Sequence, residues 1–195
     1  MNRHKLMHAA VVAIALAAFL GSCAKPPQAE IDAAKEAVAK AESDADAPVY
    51  AASTLESAKD ALSRTLKEAE AKRYDQAKAL ALETVQIAEK AIADGKTGKE
   101  RAKASAASTI AAVKTALADA EKALAAARKT RGVKLDFAAV AAELAAAGKT
   151  LSSAESDFNN GAFKYALEKS ESAQAAVRGI TGRIADAVRA VSRKK

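Results

Sequence analysis

Histidine, tryptophan and cysteine are nearly missing from these 195 residues: there are two histidines, one cysteine and no tryptophan. The histidines are His4 and His8, and the cysteine is Cys23. From Ala24 onward the chain offers neither imidazole nor thiol. Over that stretch, histidine-based acid–base catalysis, Ser-His and Cys-His nucleophile pairs, and zinc or copper sites built on nitrogen and sulfur are excluded. Aromatic residues are only 4 % of the chain, and no basic segment is interleaved with them, so a nucleic-acid platform is excluded as well. Long apolar runs are also lacking. The longest, Ala9 to Leu20, has 12 residues, against roughly 20 for a membrane-spanning helix.

What is abundant is alanine. The chain holds 56 Ala, 14 Leu, 14 Glu and 31 Lys+Arg, together 115 of 195 residues, a share that marks long helices packed as bundles or coiled coils. Alanine is the best helix former and buries little area, so helices can approach closely around a thin core. The net charge is +7, unevenly spread. Residues 24–94 carry 10 basic and 14 acidic groups, net −4; residues 95–176 carry 13 and 9, net +4; residues 177–195 carry 6 and 1, net +5. A basic C-terminal end of this kind predicts an acidic partner or surface.

The first residues read as a targeting segment. A cationic start, Asn2-Arg3-His4-Lys5, precedes the apolar run, and small residues follow it in Leu20-Gly21-Ser22-Cys23, the layout of a signal peptide over residues 1–22. Leucine three places before a cysteine, with small residues between, resembles the lipobox of bacterial lipoproteins. That resemblance implies cleavage before Cys23 and a thioether-linked diacylglycerol on its sulfur, with palmitate-type acylation. Each buried CH₂ contributes about 0.8 kcal/mol, and two or more acyl chains hold stably. Residues 23–28 are then a lipidated tether containing Pro26-Pro27, and five residues of it reach at most roughly 18 Å. Ala24 after the cysteine, where enteric lipoproteins retained in the inner membrane carry aspartate, implies the periplasmic face of the outer membrane.

Beyond the tether the pattern is helical and the expected fold class is all-α. Ile31, Ala34, Val38, Ala41 and Ala45 recur at three- and four-residue spacing and predict a first helix from Gln28 to about Asp44. Ala47 before Pro48 disfavours its continuation. Ser43-Asp44-Ala45-Asp46 reads as a helix end rather than a calcium site. Leu55, Ala58, Leu62, Leu66 and Ala69 predict a second helix from about Tyr50 to Ala71. The third begins at Tyr74 and carries Ala77, Leu80, Ala81, Val85, Ala88 and Ile92. Gly95 and Gly98 then cost about 1 kcal/mol each in a helix interior. With charged helix formers around them and no intervening proline, one helix is expected through Ile110, Val113, Leu117 and Leu124 to about Arg128, on the order of 80 Å long. A break at 94–99 is the alternative. Gly132 to Asp136 is a loop, with Asp136 placed to cap a fourth helix holding Phe137, Val140, Leu144 and Leu151. Asn159-Asn160-Gly161 is a turn, and a fifth helix holds Phe163, Ala166, Val177, Ile180, Ile184, Val188 and Val191.

The two halves match. At a constant offset of 89, Leu55 meets Leu144, Leu62 meets Leu151, Tyr74 meets Phe163, Ala77 meets Ala166 and Ala88 meets Val177. Upstream, Ile31 meets Leu117 and Val38 meets Leu124 at 86, and Tyr50 meets Phe137 at 87. The differences fall in loops, where insertions are tolerated. The expectation is a duplicated three-helix unit: module one over 29–94, a helical connector over 95–109, and module two over 110–195 with a basic tail, sharing one long central helix in a spectrin-like rod. Tyr50, Tyr74, Phe137 and Phe163 would plug the bundle ends.

The first unit resembles the bacterial lipoprotein family called domain of unknown function 4398. The resemblance covers about residues 28–93: Ala33-Ala34-Lys35-Glu36-Ala37, the turn Ala47-Pro48-Val49-Tyr50, the spaced leucines Leu55 and Leu62, and Tyr74-Asp75-Gln76-Ala77. The second copy has Leu135-Asp136-Phe137 in place of the Ala-Pro turn and matches less well. The family implies an envelope lipoprotein without a catalytic role. Ser192-Arg193-Lys194-Lys195 is similar to the lysine-terminated end of Braun-type lipoproteins, which implies Lys195 as a peptidoglycan attachment point. The functional expectation is a non-catalytic, membrane-anchored scaffold of the cell envelope. It needs no cofactor or metal, has no nucleic-acid partner, and is held to the membrane by acyl chains on Cys23, with an envelope protein or peptidoglycan as partner. The alternative is wall attachment or anionic-lipid binding through the basic C-terminus; Ile184, Val188 and Val191 could then lie on the lipid beside Arg183, Arg189 and Arg193, although packing onto the third and fourth helices is the expectation for that stripe. Paired carboxylates alone can support glycoside hydrolysis, but here they stand beside lysines on charged helix faces, and an enzyme is not expected.

Overall fold

The computed structural model describes residues 25–193; the segment 1–22, Cys23 and Lys195 lie outside them. The described residues are 88 % helical and contain no strand. In order they form α1 (Gln28–Ser43), α2 (Ala47–Tyr50), α3 (Ala52–Glu70), α4 (Tyr74–Lys129), α5 (Phe137–Asn159) and α6 (Phe163–Ser192). The chain divides into two compact units. Among the described residues, one takes those up to Asp44 together with Ser53–Ala91, and the other takes Ala45–Ala52 together with those from Ile92 on. The stretch 95–109 therefore falls inside the second unit.

In the first unit, α1 buries Ile31, Ala34, Val38 and Ala41, the face its spacing predicts. Its three helical segments are tied pairwise. Glu42 of α1 meets Lys59 of α3 at 3.1 Å, and Glu30 of α1 meets Lys78 of α4 at 2.8 Å. Between α3 and α4 the hydroxyls of Thr65 and Thr84 lie 3.3 Å apart, both fully buried. Each is also within bonding distance of the carbonyl four residues back, Ala61 at 2.9 Å and Leu80 at 2.7 Å. The buried line of α3 is Leu55, Ala58, Ala61 and Thr65. Leu62 and Leu66 are only half-buried, so the stripe expected through them is rotated toward the smaller side chains. The reason is close approach: an alanine–threonine seam lets the helices come near, and the leucines cover its flank.

The second unit contains one contiguous core, built from Ile110, Val113 and Leu124 of α4, Val140 and Leu144 of α5, and Ile180 of α6, among others. α4 runs unbroken for 56 residues through both glycines. They are needed for packing. A Cβ on Gly95 would lie 2.7 Å from the Cα and N of Ala47, and one on Gly98 would lie 2.9 Å from the Tyr50 Cβ. The single turn α2 thus rests directly on the α4 backbone. Pro48 is tolerated there because the first amides of a helix have no internal partner. Lys99 on α4 pairs with Asp46 just before α2, at 2.9 Å. The expected aromatic plugs are not enclosed: Tyr50, Tyr74, Phe137 and Phe163 are all half-buried.

The burial pattern repeats with the sequence. Ala58 and Ala147, Ala77 and Ala166, Ala81 and Ser170, Ala88 and Val177, and Ala91 and Ile180 are all buried, each pair 89 apart. The turns repeat too. At the end of α3, the Lys72 amide donates to Ala69 O and the Arg73 amide to Glu68 O, at 3.0 and 2.9 Å. At the end of α5, Gly161 donates to Phe158 O and Ala162 to Asp157 O, at 3.1 and 2.9 Å. Both ends have the paired-bond helix stop that turns on one left-handed residue. Lys72 holds φ 58° and Gly161 holds φ 79°.

Candidate functional site

Neither Cys23 nor Lys195, the two modification sites expected from the sequence, lies among the described residues. No helix among those residues is long and apolar enough to cross a membrane, and no group of three or more His, Cys, Asp or Glu among them could hold a metal ion. Asp46 of the acidic turn is engaged by Lys99.

The carboxylates serve mainly as ion-pair partners. The hydrogen bond from Lys78 holds Glu30 below the usual carboxylate range and holds Lys78 above its own. Arg73 does the same to Glu68. The ammonium groups of Lys59 and Lys99 are raised by their bonds to Glu42 and Asp46. Two carboxylate oxygens sheltered from solvent, Glu155 Oε1 and Asp157 Oδ2, accept no well-aligned hydrogen bond, but each lies within ion-pair distance of a lysine: Lys114 at 2.5 Å and Lys169 at 2.6 Å. A flexible ammonium needs no fixed alignment to neutralise a carboxylate, so both oxygens are partnered.

The surface with the most pronounced chemistry is the end of the second unit where α4 stops and α6 ends. Asp136 caps α5, its carboxylate accepting from the amides of Ala138 and Ala139 at 3.1 and 2.9 Å. That cap fixes the loop after α4. The Arg128 guanidinium stands over the Phe137 ring at 5.8 Å and donates to the Phe137 carbonyl at 3.1 Å. Gly132, at φ 90°, carries the loop against the end of α6; a Cβ there would lie 3.7 Å from Val191 Cγ1. Two basic segments, far apart in the chain, are thereby brought to one place. Beside them, between α4 and α5, is an open groove of about 470 Å³ lined by Leu124, Ala125, Ala141, Leu144 and Ala145, with Glu121, Arg128 and Lys129 on its walls.

Of the two readings of the stripe on the last helix, packing onto the neighbouring helices holds for Ile184 and Val188, and lipid contact does not. Ile184 is 2 % exposed within the core, and Val188 packs against that core. The stripe that continues beyond the repeat is therefore used in packing, because α4 and α5 extend far enough to cover it. Arg183 is bonded to Glu143 of α5 and Arg189 to Asp186; Arg193 remains exposed. The residues missed by spacing alone are Lys129, Arg131 and Lys134. Their clustering in the loop was visible in the sequence, but nothing there said that α6 ends beside it.

No protein-family model, curated protein or solved structure matches the chain.

Proposed function

We propose that the chain is a non-catalytic lipoprotein of the bacterial cell envelope, anchored by acyl chains on Cys23 and working as a helical scaffold that holds a partner near the membrane. The observation that carries this reading is Leu20-Gly21-Ser22-Cys23 behind a cationic start and a 12-residue apolar run. The duplication supports the scaffold part: two sets of alanine-lined helices offer surface rather than an enclosed site. The lack of imidazole and thiol after Cys23 favours binding over catalysis, and the resemblance of residues 28–93 to the lipoproteins of domain of unknown function 4398 belongs to the same proposal. Placement at the periplasmic face of the outer membrane rests on Ala24.

The test is intact-mass and peptide mass spectrometry of the chain from bacterial membranes, beside a Cys23→Ser variant. Acylation of an N-terminal Cys23, with membrane association lost in the variant, is the expected result. An uncleaved or unmodified Cys23 would refute the anchor. In vivo crosslinking from the exposed helix faces then identifies the partner. A second reading, attachment through the basic end, is favoured by the cations gathered where α4 and α6 end. Its covalent form requires a muropeptide on Lys195 after lysozyme digestion.

A further inference from the structure

We propose that the basic end of the second unit is a docking surface for the headgroups of anionic phospholipid. The inference rests on the envelope placement above but not on the anchor chemistry at Cys23. Six cations collect at this end: Arg128, Lys129, Arg131, Lys134, Arg189 and Arg193. Apart from Glu121, set back along α4 on the groove wall, two carboxylates oppose them among the described residues, and both are occupied: Asp136 by the amides it caps and Asp186 by Arg189. Lys129, Arg131, Lys134 and Arg193 are exposed and in no ion pair among the described residues. The loop and the helix end pack on the same core, through Val133 and Leu135 on one side and Val188 on the other, with Gly132 facing Val191, so the charges act on one surface. Glu121 and the bonded pair Arg183–Glu143 are the other charged groups packed nearby, and that pair is neutral overall.

A cluster of free cations attracts phosphates at a membrane surface within a Debye length. It would also attract an acidic polymer or protein. The groove decides between them. Its apolar floor starts beside Arg128 and Lys129 and follows α4 back to Glu121, about 12 Å along the helix axis. A phospholipid presents a phosphate and an acyl chain together, and this end offers a cationic rim and an apolar trough together. A sugar polymer has nothing to place in the trough.

The test uses the full chain, carried by its N-terminal lipid in donor vesicles of pure phosphatidylcholine. Dye-loaded acceptor vesicles contain either phosphatidylcholine alone or about 30 mol % phosphatidylglycerol. Expected is capture of the anionic acceptors only, falling at least tenfold in a variant combining Lys129→Gln, Arg131→Gln and Lys134→Gln, and falling likewise in high salt. These three side chains are exposed and unbonded, so the variant keeps the fold. Equal capture of both acceptors, or unchanged capture by the variant, overturns the proposal. So does clustering of donors with one another, which would mean that a second copy of the chain is the partner. Charge-dependent binding to peptidoglycan sacculi with no capture of anionic vesicles overturns it in favour of a wall polymer. Loss of the chain from the donors before acceptors are added is a failure of the Cys23 anchor alone; the basic end is then read by flotation of the free chain with the same acceptors.

Discussion

Replacing Gly95 by alanine sets two physical effects against each other, and the structure decides the sign. In an exposed helix interior the change stabilises by about 1 kcal/mol, because alanine loses less backbone freedom on folding. At Gly95 the new Cβ would stand 2.7 Å from both the Cα and the N of Ala47 and 2.9 Å from the Asp46 carbonyl carbon. Carbon atoms prefer separations of about 3.5–4.0 Å, so the overlap is near 1 Å. All three neighbours are backbone atoms that no rotamer change can move aside. Overpacking of this kind costs about 1–3 kcal/mol, and the upper end applies, leaving a net loss of about 1–2 kcal/mol. For a unit of this size that lowers the melting temperature by about 4–8 °C per kcal/mol. Gly182→Ala in α6 is the internal control, since a Cβ there meets nothing within 4 Å; it should gain close to the full helix-propensity term. Thermal melts by circular dichroism measure both variants, and hydrogen exchange at the Val49, Tyr50 and Ala51 amides, which bond to the Asp46 and Ala47 carbonyls, reports locally on α2. If Gly95→Ala stabilises as much as Gly182→Ala, the close seat of α2 on α4 is wrong.

Lys72→Gly should raise stability by about 1 kcal/mol, because a left-handed conformation costs a side-chain-bearing residue about 1–2 kcal/mol; an urea midpoint that fails to rise would count against the turn geometry. Asp136→Ala removes the acceptor for two amides at the start of α5 and should cost about 1 kcal/mol, with faster hydrogen exchange at Ala138 and Ala139 as the local readout. The pH profile follows from the surface pairs. Glu30 and Glu68 have folded pKa values below the ordinary 4.5, so their contribution is present above that value and is lost as pH falls through the folded pKa. Lys59, Lys78 and Lys99 have folded values above the ordinary 10.5, so theirs is present below 10.5 and is lost as pH rises through the folded value. Melting temperature should therefore be flat near neutrality and fall at both extremes; a maximum on the acid side of 4.5 would contradict the assignment.

The helices and their duplication were legible because period and offset are properties of the string. Ile31, Ala34, Val38 and Ala41 announce a face, and the cap at Asp136 follows from its place before an apolar run. Continuity through Gly95 and Gly98 could be expected from the charged helix formers around them, but their purpose could not. That depends on a four-residue turn arriving from elsewhere in the chain. The shift of the α3 seam from Leu62 and Leu66 to Ala61 and Thr65 was hidden because spacing ranks residues by hydrophobicity, whereas helix approach selects for small size. Lys72 was half visible: at the same offset of 89 it aligns with Gly161, which is the hint that it occupies a glycine's conformation. The basic end required the third dimension, since Arg131 and Arg193 are 62 residues apart.

Seams lined by methyl groups have a thermal consequence. The heat-capacity increment of unfolding grows with the apolar area newly wetted, and typical domains reach about 12–15 cal/mol/K per residue. A first unit whose inner wall is mostly alanine (Ala34, Ala41, Ala58, Ala77, Ala81 and Ala88), with Ile31, Val38 and Leu55 the larger buried side chains, wets less apolar area per residue than one filled with leucine. Its stability curve is accordingly shallow, with weak curvature and little sensitivity to cold.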